Sequence, residues 1–530
     1  LDARALRRSL TELARRHEAV RTVLVETGGE AMQGVLPAAP VPFPVLDLAG
    51  LPRERRHAEA LRRLAEEALR PFDLEHGPPL RVLPVRLAEE EWALCFTLHH
   101  IAGDGWSMGV LTREVSALYG AYSRGEESPL PEPELQYADY AVWQREWLAG
   151  ERLEEQLRYW RDKLEGAPPV LELPTDRPRP PAPGARGRVL PCRFPPELSR
   201  GVRALCRREG VTPFMALLTA WQLLLARWAG EEDVSVGTAV AGRNRLELEG
   251  LIGFFVNTLV LRLDLAGRPT VREVLRRARE TTLGAFAHQD VPFEKLVEEL
   301  APGRSLRHTP LFQVMFSLQN QEDGELELGG VATEPLDLAG EAAKFDLNLA
   351  VWEDGEGFGG HVTYRTDLFE AETIHRMLEH FATLAGALAG DPERPAATLP
   401  LMEEGERRQL LLEWNATAGE YPRHLPVHAL FERQAARTPD APALLWDGGA
   451  LTYAELDARA DRRARALAGL GVRPEVRVGV CLERGPELVA ALLGVLKAGG
   501  VYVPLDPTHP AERLAWLLED SAISELLTDE

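Results

Sequence analysis

Seven prolines fall within one short stretch of this chain: Pro168, Pro169, Pro174, Pro178, Pro180, Pro181 and Pro183. Proline lacks a backbone N–H and fixes φ, so this stretch can be neither a helix interior nor a central strand. It reads as a linker between two regions in which helical and strand-like segments alternate. Before it, residues 1–17 form an amphipathic helix with Leu6, Leu10 and Leu13 on one face, Val20 to Glu26 is β-rich, and the alternation runs to about Leu164. After it, a second alternating region extends from about Val189 to Gly390. That region holds a long apolar helix (Phe214 to Ala229), a β-like run (Phe254 to Leu263) and a helix from Val271 to His288. Such alternation predicts α/β or α+β layers.

Further breaks at Asp391 to Pro400 and Asn415 to Pro426 introduce a third region. There His428 to Arg437 reads as helix, Ala443 to Leu451 as strand or hairpin, and Glu455 to Leu470 as helix. Arg477 to Leu482 follows as strand, Pro486 to Ala498 as helix and Val501 to Pro504 as strand. This is the βαβ rhythm of a parallel sheet, and it stops at Glu530 as an incomplete unit. At about 150 residues per domain, 530 residues make three or four folding units.

Charge and cysteine content narrow the function. A net charge of −22 argues against non-specific nucleic-acid binding, which needs a cationic face. The cysteines Cys95, Cys192, Cys206 and Cys481 form no C-x-x-C pair, so neither a disulfide scaffold nor a cysteine zinc site is expected, and a reducing cytoplasm is. No run of about 18 apolar residues predicts a membrane span. The chain opens on Leu1 directly into helical periodicity, without a signal sequence or initiator methionine, and reads as a piece of something longer.

The main catalytic candidate is His99-His100-Ile101-Ala102-Gly103-Asp104-Gly105. It follows an apolar strand, Trp92 to Leu98, and precedes an amphipathic helix carrying Val110, Leu111, Val115, Leu118, Tyr119 and Tyr122. Two imidazoles above a Gly-Asp-Gly turn suit acid–base chemistry. Alternation along a strand would present one of them to a substrate, and the helix starting near Trp106 would aim backbone N–H groups toward the same place. On composition alone, a pair of hydrogen-bonded core histidines remains an open alternative.

Two other patterns are set aside. Gly105-Trp106-Ser107-Met108-Gly109 matches the G-x-S-x-G nucleophile elbow. However, Ser107 follows Leu98 by nine residues, whereas the elbow serine sits on a sharp turn directly after its strand. His375 and His380 are five apart, about 140° round a helix, which is wrong for a helical zinc motif and reads as a solvated face. No Walker-type phosphate loop occurs, and Gly499-Gly500 reads as a helix stop before a strand.

The His-His-x-x-x-Asp-Gly stretch resembles the signature of condensation domains of nonribosomal peptide synthetases. Further motifs of that family follow in order. Arg16-His17-Glu18-Ala19-Val20-Arg21-Thr22 is similar to R-H-E-x-L-R-T, Tyr137 to Trp143 to Y-x-D-Y-A-x-W, and Gly253 to Thr258 to G-x-F-V-N-T. His288 to Glu294 is similar to H-Q-D-x-P-F-E, and Arg304 to Phe316 to R-x-x-S-x-x-P-L-F-Q-V-M-F, with Arg307-His308 departing from it. The combination is most similar to the subgroup joining an L-donor to an L-acceptor. The last hundred residues resemble the start of an adenylation domain, through Leu451 to Leu456 and Leu496 to Pro507. They end before that family's phosphate-binding loop, so no ATP-driven amino-acid activation is expected.

The resemblance implies two chloramphenicol-acetyltransferase-like lobes in a V, at 1–165 and 166–400 with the proline-rich hinge. A linker at 401–425 and a partial adenylation domain at 426–530 would follow. The first lobe starts after the family's S-x-A-Q-x-R-L-W segment, so a strand and a helix are expected to be missing. Donor and acceptor carrier domains would present phosphopantetheine thioesters at the two ends of a tunnel, with no cofactor or metal bound directly and ATP/Mg only for a complete adenylation domain. His100 is implied to be catalytic, as base or as positioning group. His99 and Gly105 would support it, the first in local packing and the second by letting backbone approach the substrate. Asp104 is expected to pair with Arg262. Trp106, Ser107, Asn257 and Gln289 are tunnel or lobe-interface candidates, and Tyr137 and Trp143 framework residues. A hydrolase or alcohol acyltransferase using Ser107, and a non-catalytic carrier-docking platform, are the competing readings.

Overall fold

The computed structural model describes residues 1–181, 184, 186–301, 307–319, 326–336 and 342–529. Pro183, Arg304 and Glu530 lie outside the described residues. Two compact units result, 1–409 and 410–530.

The first unit is built on two main sheets, with a separate two-stranded hairpin, Thr22–Thr27 with Glu30–Val35. Its N-terminal helix Ala3–Arg16 starts where the Asp2 side chain accepts the N–H groups of Arg4 and Ala5. It buries Leu6, Leu10 and Leu13 against Val110, Leu111, Val115 and Tyr119 of the helix Gly105–Ser123. Beside them lies a small sheet in which Leu80–Arg86 runs parallel to Leu46–Asp47 and antiparallel to Trp92–Leu98. That last strand has the bounds read from the sequence, and its C-terminal end delivers His99 and His100.

The larger sheet is mixed and, among the described residues, six-stranded. Its order is Gly187–Arg193, Gly357–Arg365, Leu347–Asp354, Val314–Gln319, Asp233–Val240, Asn257–Asp264. Against it packs the helix Pro213–Ala229, capped by Thr212 and stopped by left-handed Gly230 (φ 73°), with every side chain from Met215 to Ala226 buried. An apolar helix without a polar face has to be a core helix. Among the described residues no single helix is long and apolar enough to cross a membrane; this one reaches that length only together with Pro196–Glu209, across a 108° bend.

The structure departs from the sequence reading at several places. The helix Glu151–Leu164 packs Leu157, Trp160 and Leu164 into the larger sheet's core, although it precedes residue 165. The run Phe254 to Leu263 becomes a strand only at Asn257, because the N–H groups of Phe255 and Val256 bond to a carboxylate instead of to a neighbouring strand. Within 401–425, read as linker, Glu404–Arg408 is helical and Gln409–Glu413 is a π turn. His380 is buried rather than solvated. Its Nε2 lies 2.9 Å from Glu406 Oε2, and its Nδ1 accepts from Trp228 Nε1.

The second unit holds a hairpin, Pro442–Trp446 with Gly449–Thr452, and a parallel sheet in the order Val501–Pro504, Arg477–Cys481, Glu525–Thr528. The helix Pro486–Lys497 ends at Gly499 (φ 83°), the stop expected from Gly499-Gly500.

Trp221, fully buried on the core helix, packs edge-on against Phe381. Trp221→Ala is expected to destabilise the first unit by about 3–5 kcal/mol, read as a lower urea midpoint for that unit's transition.

Candidate active site

The histidine turn is organised by short-range bonds. The His99 N–H donates to the Pro79 carbonyl, extending the ladder one residue past the strand. The His99 ring then folds back, accepting the Ile101 N–H at Nδ1 (3.1 Å) and packing edge-on against Phe72. Burial, helped by the neighbouring His100, pushes the His99 imidazole down from its ordinary value. His99 therefore sits in local packing.

His100 is exposed, and its Nδ1 lies 2.8 Å from the Gly103 carbonyl. A carbonyl only accepts, so Nδ1 carries the proton and the lone pair of the neutral ring lies on Nε2. Nε2 has no protein partner among the described residues. The ring stands edge-on to Phe254, with centroids 5.1 Å apart. Strand alternation does not choose between the two histidines, since both lie beyond Leu98; their hydrogen bonds do. At Gly103 a Cβ would overlap the tip of the Leu98 side chain, which would have to shift, and would press on Ser107. At Gly105 a Cβ would meet nothing within 4 Å, so no neighbouring protein atom demands glycine there.

Asp104 is buried and closes the turn. Oδ1 accepts the Ser107 N–H (2.9 Å), capping the helix Gly105–Ser123, and also the Ser107 hydroxyl (2.8 Å). Oδ2 accepts the N–H groups of Phe255 (3.0 Å) and Val256 (3.2 Å). Its cation is Arg243, not Arg262. Arg243 Nη2 reaches Asp104 Oδ1 at 3.2 Å, with side-chain exposures of 1% and 4% for the two partners. Nη1 donates to the carbonyls of Leu248 and Leu251, and the guanidinium lies over the Phe255 ring. Burial lowers the Arg243 pKa, and Asp104 opposes that shift. Arg262 is engaged elsewhere, with Asp233 (2.6 Å) and the carbonyls of Lys163 and Glu165. The physical reason is register. Arg262 stands opposite Ser235, on the face that also carries Asp233 two residues along, whereas Arg243 leaves the end of that neighbouring strand toward Asp104. Sequence reasoning missed Arg243; the only signal for it was that a buried aspartate needs some cation.

Ser107 completes the clasp and is fully buried. Its Oγ lies within hydrogen-bond distance of Asp104 Oδ1, Arg243 Nη2, and the N–H and C=O of Gly253. With every direction occupied, it is a structural node and has no room to act as a nucleophile. A second tie runs beside it. Arg16 and His17 meet Glu114 at 3.0 Å each, and His17 Nδ1 accepts the Ile252 N–H. Burial alone would raise the Glu114 carboxyl, but the bonds from His17 and Arg16 bring it down to about 2.

A family model described as "Condensation domain" matches residues 1–411. The chain belongs to that family. A second model, "AMP-binding enzyme", matches residues 431–530. Among curated proteins, a linear gramicidin synthase component from Brevibacillus parabrevis is 48% identical over 532 residues, covering 100% of this chain and 10% of the relative. Phosphinothricin tripeptide synthetase PhsC of Streptomyces viridochromogenes is 44% identical, covering 99% of this chain and 48% of the relative. The chain thus spans between about a tenth and a half of these relatives. Among solved structures, a four-domain nonribosomal peptide synthetase bound to AMP and glycine matches with TM-score 0.79 and 25% identity, over 99% of this chain and 40% of that one. The X-domain from teicoplanin biosynthesis matches with TM-score 0.69 and 31% identity, over 76% and 90%.

In this condensation domain the other candidates brace the clasp or line a cavity beside it. Trp106 Nε1 donates to the Glu249 carbonyl, and the Tyr137 hydroxyl to that of Phe254. Burial pushes the Tyr137 phenol up to about 12. Asn257 Nδ2 donates to the carbonyls of Gln289 and Val291 while its Oδ1 accepts the Phe293 N–H, so it holds the H-Q-D loop against the start of its strand. The Gln289 side chain turns back to the Phe286 carbonyl. Trp143, Asn257, Gln289 and Phe254 all border one cavity of about 210 Å³. Among the described residues no His, Cys, Asp and Glu are grouped to hold a metal ion.

Two outcomes are expected here. Asp104→Ala leaves Arg243 buried without its carboxylate and should cost about 3–5 kcal/mol; Arg262→Ala should cost clearly less, by urea midpoints measured in parallel. Glu114 is held below its usual 4.5 in the fold, so its stabilisation is present above that pH and is lost as pH falls through about 2. Glu114→Gln should therefore flatten the acid limb of the stability curve between those values.

Proposed function

We propose that the first unit forms peptide bonds between two thioesters carried on the phosphopantetheine arms of donor and acceptor carrier domains. The L-donor, L-acceptor type is the one whose motifs it resembles. The observation that carries this reading is the exposed His100 imidazole whose Nδ1 lies 2.8 Å from the Gly103 carbonyl, a contact that leaves Nε2 for a substrate.

The acceptor's α-amine attacks the donor thioester carbonyl, forming the C–N bond. The tetrahedral adduct collapses with cleavage of C–S, and the donor arm leaves as a thiol with the proton that the amine gave up. Nε2 accepts that proton or hydrogen-bonds the amine as the charge develops, a contribution of about 10²–10⁴-fold. Thioester reactivity and the pairing of two tethered reactants supply the remainder. The proposal includes two lobes within the first unit and an adenylation-type segment at 426–530. The four cysteines are unpaired, in keeping with a cytoplasmic setting.

The test mixes both carrier-bound thioesters with the chain and follows acceptor-bound product by mass. Wild type is expected to yield amide, and His100→Ala to slow it by about 10²–10⁴-fold, with no acyl adduct on Ser107 in peptide maps. Free acid as product, or an acylated Ser107, overturns the reading in favour of hydrolysis. Carrier binding without product would favour a docking platform; an X-domain from teicoplanin biosynthesis has been solved in complex with OxyB.

A further inference from the structure

We propose that the Phe254 side chain determines which acceptor side chains this site takes, an inference that rests on the amide-forming reading above. In the stretch Gly253-Phe254-Phe255-Val256-Asn257 the backbone and most side chains are committed. A Cβ at Gly253 would overlap Tyr137, Phe255 lies under the Arg243 guanidinium, and Asn257 braces the H-Q-D loop. Phe254 occupies the variable position of the G-x-F-V-N-T pattern. Its backbone is pinned on both sides, since its carbonyl accepts the Tyr137 hydroxyl (2.8 Å) and the next N–H is held by Asp104. Its side chain is only half-buried and has no such commitment.

The ring stands edge-on to His100, with centroids 5.1 Å apart, and residue 254 also borders the 210 Å³ cavity that Trp143 and Gln289 border. An amine hydrogen-bonded to His100 Nε2 lies about 3 Å from it. The amine's α-carbon is one bond further and the first side-chain atom two, so the acceptor's side chain arrives next to a ring this close to the imidazole. The phenyl group thus limits acceptor size on one side and closes the cavity on the other. The cavity has the volume of roughly seven waters at ~30 Å³ each. It is lined by aromatic rings together with amides and the charged residues Arg245, Asp290 and Glu294, an apolar space with polar groups at its walls. Shortening residue 254 joins the two spaces; enlarging it narrows the approach.

The experiment uses the 530-residue chain with one donor thioester and a competing mixture of alanyl, leucyl, phenylalanyl and tryptophanyl pantetheine thioesters as acceptors. Product ratios are read by mass, and because each ratio is internal, a partly unfolded variant does not distort it. Phe254→Ala and Phe254→Leu should shift the tryptophanyl-to-alanyl ratio toward the bulky acceptor, by at least ~10-fold for alanine, and Phe254→Trp should shift it the other way. Unchanged ratios in all three variants, with an active wild type, overturn the proposal. A shift that appears only when the donor is varied overturns the acceptor assignment. No amide from wild type with any pair overturns the amide-forming reading, and this inference with it.

Discussion

The buried pair of Asp104 and Arg243, sealed by the Ser107 hydroxyl, is the interaction on which the rest of the site depends. Taking two charges out of water costs several kcal/mol each, and their attraction offsets this only when the remaining polar valences are satisfied. Here the carboxylate accepts from two amides of residues 255 and 256, from the Ser107 amide and hydroxyl, and from the guanidinium. The guanidinium in turn donates to two carbonyls and lies over the Phe255 ring. Among the described residues, only its Nε is left without a partner.

This network fixes the histidine turn because Asp104 belongs to both. One residue caps the helix Gly105–Ser123, follows the glycine whose carbonyl orients His100, and holds the chain that enters the strand Asn257–Asp264. The clasp also explains two glycines. A Cβ at Gly242, which has φ 65°, would collide with the Phe255 carbonyl, and one at Gly253 would collide with Tyr137. Asp104, which follows the smaller sheet's last strand, thereby reaches the chain that enters the larger sheet. The Arg16–His17–Glu114 tie reinforces this contact one helical step away, through Ile252. The geometry of the histidine turn is therefore a property of the whole first unit rather than of the histidine motif alone.

Local features were legible in the sequence wherever local physics decides them. The strand Trp92–Leu98, the apolar core helix and the parallel rhythm after residue 427 all follow from periodicity. The place of His100, just past the end of the strand Trp92–Leu98, was legible too. What escaped was pairing across long separations. Arg262 was a reasonable partner for Asp104 by motif order, but the sheet register commits it to Asp233. Arg243 sits in a loop with no periodicity to mark it. The late start of the Asn257 strand escaped for the same reason, since its first amides are claimed by a residue about 150 positions away. His380 escaped because its burial depends on Trp228 and Glu406, neither of them near it in sequence.

The central claim is that His100 is held by the Gly103 carbonyl with its proton on Nδ1, leaving Nε2 as the free base. Nitrogen-15 chemical shifts of the His100 ring, measured on selectively labelled protein at a pH where the ring is neutral, test it most directly. The account predicts a pyrrole-type shift for Nδ1 and a pyridine-type shift for Nε2. The opposite tautomer, with the proton on Nε2, would contradict it.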